Sequence, residues 1–236
     1  MTAISRQAAV TSPLRTVLVV TVGLALFVTA SVGLAVVIWR DPSTGTATGA
    51  ADRTLPGADA AAGHLEESSR TAAIGDVTMV LPGEPYSLYP DPLPLKGVFE
   101  SVFSASAPVH ERYDGRHTWS AAVLLGRLPA APNGDLEAQS RVTLQQLSQS
   151  IFDGHPARLT DVRSSDHSVE GQAGLLVTSR IRYAIDSLPS RYDTVTVLLV
   201  GMDDGSVVVA ATSVPNDTDP ALAKQAAAAL DSLKIR

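Results

Sequence analysis

The feature that most constrains this chain is a long apolar run near its amino terminus. Residues 17–39 begin at Val17, end at Trp39 and contain 23 consecutive residues without a formal charge. As a helix with a rise of about 1.5 Å per residue, the run would be about 35 Å long, enough to cross a hydrocarbon core of about 30 Å. We therefore predict one transmembrane helix over residues 17–39.

A removed secretory signal is the alternative interpretation of this run. The residues before it are few and basic, as in a signal peptide, but the apolar core of a signal usually has about 7 to 15 residues. No convincing cleavage site precedes Trp39 and Arg40, which resemble an interfacial anchor. An uncleaved signal anchor is therefore the favoured interpretation.

The flanking charges predict how the anchor is oriented. Arg6 and Arg15 precede the run without any acidic residue, whereas Arg40 is offset at once by Asp41. Because basic residues are retained on the cytoplasmic side, residues 1–16 should be cytoplasmic. The carboxyl-terminal part should be extracytoplasmic, which predicts a single-pass protein of the cell membrane.

Charge and cysteine content exclude several functions. The chain of 236 residues has a formal net charge of −6, and the residues after position 40 carry 15 basic and 24 acidic side chains. This excess of acid disfavours binding to nucleic-acid phosphates, so no nucleic-acid partner is expected. The absence of cysteine excludes disulfides, thiolate metal sites and catalytic or lipidated cysteines.

Two regions are expected after the anchor. Residues 40–73 are rich in alanine, threonine, glycine and proline, and such a segment buries too little apolar surface to offset its ordering entropy. We predict a flexible linker there. Residues 74–236 are long enough to fold independently and should form the extracytoplasmic domain.

The domain has the period-2 pattern of antiparallel strands. Apolar and polar residues alternate over residues 175–186, and Arg180 and Arg182 share the polar face. Residues 192–202 and 206–214 predict two strands joined by an Asp-Asp-Gly turn, and the second of these is apolar on both faces and should be central. Further extended segments are predicted at residues 77–81, 96–105, 117–128 and 157–163.

Two helices are predicted between these strands. Helical spacing of leucines indicates one over residues 135–152, with Asn133 or Asp135 as its cap. The other covers residues 220–233, with Thr218 or Asp219 as its cap and Pro220 in its first turn. The sequence Asn-Asp-Thr at residues 216–218 has the form of a glycosylation acceptor, but we interpret it as part of the helix cap. The predicted fold class is α+β, an antiparallel sheet flanked by two helices.

The order of these elements resembles a known family. The stretch LPGEPY at residues 81–86 and the tail that reads DDG, strand, SVPND, helix are similar to the PsbP-like α/β/α sandwich. The chain most resembles the LpqN type of actinobacterial envelope protein. This resemblance implies an accessory or binding role in an envelope or membrane complex, without catalytic residues. LpqN-type proteins are commonly lipoproteins, whereas this chain has no cysteine to lipidate.

The motifs of common enzyme classes are absent from the sequence. His110, Glu111 and His117 are residue types that bind metals, but they flank a turn and are expected to be solvated. The Asp-His-Ser sequence at residues 166–168 has the composition of a triad, yet neighbours on an extended segment point to alternating faces. We expect no catalytic, metal or cofactor site.

The candidate partner-binding surface is the polar face of the strand at residues 175–186. Arg180 and Arg182 lie on it, and Arg191 and Tyr192 extend it beyond the following turn. Adjacent guanidinium groups can hold a carboxylate, a phosphate or an acidic partner segment through paired hydrogen bonds. The alternative is an ordinary charged face, neutralised by nearby acids: Glu170, Asp186 and Asp193.

Three functions stay open at this point. The favoured one is a non-enzymatic, membrane-anchored accessory protein whose extracytoplasmic domain binds a protein or an envelope component. The second is a ligand-binding or lipid-handling domain with a cavity between the sheet and the helix at residues 135–152. The third is an envelope hydrolase with carboxylates such as Asp203 and Asp204, which their position in a turn disfavours.

Overall fold

The computed structural model describes residues 63–90, 95, 98–128, 135–152 and 155–236. The predicted anchor at residues 17–39 and the predicted linker as far as residue 62 lie outside the described residues. Within the described residues, no helix is both long enough and apolar enough to span a bilayer.

The described residues form an α+β domain with two helices, as the sequence pattern predicted, but with two sheets where one was predicted. The small sheet contains β1 (His64–Glu66), β2 (Thr71–Ile74), β3 (Val77–Val80) and β11 (Lys234–Ile235). The large sheet contains β4 (Ser87–Tyr89), β5 (Ser101–His110), β6 (Trp119–Leu128), β7 (Ala157–Val169), β8 (Gln172–Tyr183), β9 (Tyr192–Gly201) and β10 (Val207–Pro215). The helices are α1 (Leu136–Ile151) and α2 (Pro220–Asp231).

The large sheet is antiparallel, with the strand order β4-β5-β6-β10-β9-β8-β7. Strand β10 lies between β6 and β9, and nearly all of its residues are buried, which confirms the prediction of a central strand. The turn that joins β9 to β10 contains Gly205 at φ +79°, a conformation that glycine adopts without a steric penalty.

Strand β8 shows the predicted alternation residue by residue. Leu175, Val177 and Ile181 are buried on one face, while Arg180 and Arg182 are exposed on the other. Because side chains of a strand alternate between faces, this pattern places the two arginines together on the solvent side of the sheet.

The two helices cover opposite faces of the large sheet. Helix α1 packs Leu144 and Leu147 against β7, β8 and β9, and Asp135 caps it by accepting a hydrogen bond from the Ala138 N–H at 3.0 Å. Helix α2 is capped by Asp219 and packs on the other face, mainly on β10, β6 and β3. On that second face, α2 therefore leaves part of β7, β8 and β9 uncovered.

The predicted boundary between linker and domain is wrong. Residues 64–66 and 71–74 are strands of the small sheet, although the sequence assigned residues 40–73 to a linker. Ala72 and Ile74 are fully buried, and β2 is held by pairing with β3. These short strands are stabilised by tertiary packing, which the local composition does not reveal.

Candidate functional site

Arg180, Arg182 and Tyr192 form one surface on the open face of the large sheet. Arg182 lies directly opposite Tyr192 in the pairing of β8 with β9, so both side chains are on the same face. The guanidinium carbons of Arg180 and Arg182 lie 5.1 and 5.4 Å from the centroid of the Tyr192 ring. Both distances allow a cation–π interaction, so the ring holds the two cations side by side.

Two further arginines, Arg158 and Arg163 of β7, extend this surface. Arg158 lies directly opposite Arg182, and Arg163 lies opposite Thr178 of β8. A bulge between Thr160 and Arg163 adds one residue to β7, which brings Arg163 onto the same face as Arg158. We call this set the arginine surface: Arg158, Arg163, Arg180, Arg182 and Tyr192.

The arginine surface retains an excess of positive charge. Arg180 contacts the carboxylate of Asp161 at 3.4 Å, and both side chains are about half exposed. Among the described residues, Arg158, Arg163 and Arg182 make no ion pair. Like charges directly opposite on a sheet are destabilising, so Arg158 and Arg182 face each other at a cost to the fold.

The three acidic residues that the sequence suggested as ion-pair partners, Glu170, Asp186 and Asp193, do not neutralise these arginines. Asp193 is buried on the other face of β9, and Glu170 and Asp186 are exposed without an ion pair in the described part of the chain. Arg191 lies just before β9, and its main-chain N–H donates to Oδ1 of Asn216 at 2.6 Å. The structure records neither an ion pair nor a ring contact between Arg191 and the arginine surface within the described residues.

A buried network around Asp193 fixes the strands behind this surface. The Asp193 carboxylate accepts hydrogen bonds from the Tyr183 hydroxyl at 2.6 Å, the Ser213 hydroxyl at 2.7 Å and the Trp119 indole at 3.4 Å. Burial raises the pKa of Asp193, and these hydrogen bonds oppose the change. Burial also raises the pKa of Tyr183, and the charge of Asp193 adds to that effect. The network connects β6, β8, β9 and β10 directly behind Tyr192.

A second cluster contains Ser190, His110 and Asp217. The sequence analysis did not predict that these residues lie close together. His110 Nε2 lies 3.1 Å from the Ser190 hydroxyl and 2.9 Å from the Asp217 carboxylate, while the Ser190 hydroxyl donates to Asp217 at 2.5 Å. Burial acts to raise the pKa of Asp217, but hydrogen bonds from Ser190 and His110 hold it below its ordinary value.

This cluster does not have the geometry of a catalytic triad. In a triad the serine and the carboxylate bond to different nitrogens of the imidazole, whereas both groups here contact Nε2 of His110. Ser190 is also fully buried. The cluster instead ties the end of β5 to the loop before β9 and to the turn before α2, and Asp217 acts there rather than as a helix cap.

The remaining candidates from the sequence are separate from one another. His117 bonds Asp114 through Nδ1 at 2.6 Å, apart from His110, and within the described residues no three acidic or histidine side chains are grouped to hold a metal ion. The side chains at residues 166–168 are exposed along β7. Hydrogen bonds from the Ser206 hydroxyl and amide, together with Arg127, lower the pKa of Asp204, which disfavours it as a general acid.

A groove of about 700 Å³ lies beside α2, on the same face as the arginine surface. This is the opposite face from the cavity that the sequence predicted beneath α1, where Trp119, Phe152 and Tyr183 pack with ring centroids 5.0–5.4 Å apart. The groove floor includes Thr194, which lies opposite Arg180 in the sheet, so the groove adjoins the arginine surface. Its walls include small or apolar residues of α2 and β7: Ala223, Ala226, Ala227, Leu230 and Val169.

Comparison with known proteins gives similarities in structure alone. No protein-family model and no curated protein sequence matches this chain. The PsbP of the cyanobacterium Synechocystis sp. PCC 6803, called CyanoP, is 12% identical, with 78% of this chain and 98% of that chain covered and a TM-score of 0.42. The Saccharomyces cerevisiae Ran-binding protein Mog1p is 14% identical, with 68% and 90% covered and a TM-score of 0.40.

These similarities concern the arrangement of the chain and transfer no function. A PsbP, the fold that the sequence resemblance named, is among these similar structures. The narrower assignment to the LpqN type of actinobacterial envelope protein stays a prediction.

Proposed function

We propose that this chain is a non-enzymatic accessory protein that captures an acidic segment of a partner protein on its arginine surface. The observation that carries the proposal is the set of four arginines on one open sheet face, of which only Arg180 has an ion pair among the described residues. Arginine pairs suit carboxylates because each guanidinium can donate two parallel hydrogen bonds.

Tyr192 prepares this surface for binding. An arginine side chain loses rotamer freedom when it binds a partner, and that loss weakens binding. Here the Tyr192 ring already holds Arg180 and Arg182 at cation–π distances. The buried Asp193 network in turn holds the strand that carries Tyr192. The two arginine side chains therefore lose less conformational entropy when the partner binds.

The proposal includes a location. The apolar run at residues 17–39 and its flanking charges support a signal anchor with the domain on the extracytoplasmic side. An accessory role in an envelope complex, as in LpqN-type proteins, rests on the sequence resemblance. The partner is then a protein that displays an acidic segment close to the membrane.

Crosslinking in intact cells tests the capture of a partner. The full chain carrying Arg180→Ala and Arg182→Ala should lose its specific crosslinked species, identified by mass spectrometry, while its melting temperature stays unchanged. The control carries Arg116→Ala and Arg141→Ala, which remove two exposed charges outside the arginine surface. The proposal fails if both variants retain the crosslinks of the original chain.

The location has a separate test. A reporter fused after Arg236 should be active only on the extracytoplasmic side, and alkaline extraction should leave the full chain in the membrane pellet. Release of a shortened chain would identify residues 17–39 as a removed signal.

The groove supports a second candidate function, binding of a small ligand. Its volume of about 700 Å³ is within the usual range of ligand sites, and it combines apolar walls with threonine hydroxyls on the floor. Native mass spectrometry of the full chain from its host should then detect a copurifying small molecule. Ala227→Phe, which fills the groove, should remove that molecule, whereas Ala228→Phe outside the groove should not. A chain that copurifies no small molecule would exclude this function.

A further inference from the structure

Strand β7 is an edge strand with an open side. It has 13 residues, pairs with β8 along one edge and lies last in the strand order. Among the residues that the structure describes, none pairs with its other edge. Most of its side chains are exposed, and it contains neither proline nor glycine. Such an edge presents main-chain N–H and C=O groups that can pair with an added strand.

The bulge divides β7 into two parts. Asp161 has φ +55°, and the regular pairing with β8 is interrupted between Thr160 and Arg163. From Arg163 to Val169 the register with β8 is continuous. Residues 163–169 therefore offer a regular edge of seven residues, a length typical of short strands.

The charges along this edge favour an added strand with acidic side chains. Arg158 and Arg163 lie on the open face of β7, and neither makes an ion pair within the described part of the chain. An added strand would lie about 4.8 Å away and place every second side chain on that face. An acidic side chain beside Arg163 would be attracted, whereas a basic one would be repelled. Arg158 lies before the bulge, outside residues 163–169.

We propose that the acidic partner segment binds as an additional strand along residues 163–169 of β7, with an acidic side chain beside Arg163 on the open face. This inference rests on the proposed function and gives it a geometry. Main-chain pairing supplies affinity, and the arginine surface supplies the preference for acid. A second copy of this chain is a less suitable occupant because β7 carries basic as well as acidic side chains.

Backbone-methylated peptides test this geometry on the full chain. The probe is a seven-residue peptide of alternating glutamate and threonine with blocked ends. N-methylation of all glutamate amides, or of all threonine amides, leaves charge and side chains unchanged but blocks opposite edges of an extended strand. One methylated peptide should bind at least about tenfold more weakly than the parent, because several hydrogen bonds are lost, and the other should keep its affinity.

Hydrogen exchange of the full chain locates the bound peptide. The parent peptide should slow amide exchange in residues 163–169, and Arg158→Ala with Arg163→Ala should weaken its binding more than the Arg116→Ala and Arg141→Ala control. Equal binding of both methylated peptides would overturn strand addition and leave capture by the arginine surface intact. Slow exchange, in the free chain, of the β7 amides that point away from β8 would mean that the edge is already occupied, which also overturns it. Failure of every acidic peptide to bind would contradict both proposals.

Discussion

Asp193 connects four strands from a position that is almost closed to solvent. Its side chain is 1% exposed and accepts hydrogen bonds from Tyr183, Ser213 and Trp119. A buried donor that loses its acceptor destabilises a protein by about 1–3 kcal/mol. The free energy of unfolding should therefore depend strongly on this one carboxylate.

We expect Asp193→Ala to lower the free energy of unfolding by about 2–4 kcal/mol, because it takes the acceptor from two buried hydroxyls, those of Tyr183 and Ser213. Urea denaturation followed by circular dichroism would measure the loss. Asp186→Ala removes an exposed carboxylate close by and should change the free energy by less than about 0.5 kcal/mol. Equal effects of the two substitutions would contradict the role of the network.

The raised pKa of Asp193 predicts a pH dependence with a definite sign. In the folded protein Asp193 stays protonated at pH values above its ordinary pKa of 3.8. The protonated group therefore favours folding at low pH. Its contribution is lost as the pH rises through the folded-state pKa. The difference in unfolding free energy between the original chain and Asp193→Asn should therefore fall as the pH rises above 3.8. Parallel curves for the two chains would contradict the raised pKa.

Strand β8 contains one position where only glycine fits against the neighbouring strand. A Cβ atom at Gly174 would lie 2.8 Å from the main-chain oxygen of Leu199, which belongs to β9. Since main-chain atoms of a paired strand cannot move aside easily, the added atom must strain the sheet.

Gly174→Ala should lower the free energy of unfolding by about 1–3 kcal/mol as a result of this overlap. Thermal or urea unfolding of the full chain would measure the change. Gly83→Ala is the matched control, because no atom lies within 4 Å of its added Cβ. A Gly174→Ala chain as stable as the control would show that β8 and β9 are less closely paired than described.

Strong local patterns were sufficient to predict the main elements of the large sheet. The alternation over residues 175–186 gave both the strand and its buried face, and the capping residues Asp135 and Asp219 begin helices where expected. These signals are local because each depends on side chains a few residues apart.

Features that depend on packing between distant segments could not be predicted. Strands β1 and β2 have an unremarkable composition and exist through pairing with β3. Arg158 joins Arg182 only through the register of β7 with β8, and the Ser190–His110–Asp217 cluster joins three segments that are distant in the sequence. The sequence contains those residues but no signal of their proximity.

At the scale of the whole molecule, the arginine surface is a positive region on a chain with a formal net charge of −6. A partner with acidic groups is therefore attracted locally and repelled by the remainder of the chain. Both effects are screened by salt over a Debye length of about 8 Å at physiological ionic strength.

Binding of the alternating glutamate–threonine peptide should weaken as salt increases. We expect its affinity for the full chain to fall several-fold between about 50 and 300 mM NaCl, because exposed ion pairs are screened. The chain with Arg180→Ala and Arg182→Ala should show a smaller dependence on salt. Titration calorimetry would measure both, and a salt-independent affinity would indicate that charge does not drive capture.

The extra residue in β7 has a consequence for any comparison with related chains. Residues 157 and 159 pack towards α1, yet residues 167 and 169 line the groove on the other side, because the insertion at Asp161 exchanges odd and even positions. In a relative without that insertion, the arginine that corresponds to Arg163 would have to stand one position nearer the amino terminus to lie opposite the same residue of β8. An alignment of such relatives should therefore contain a single-residue gap at this point. After the gap, polar and apolar residues should align with polar and apolar residues.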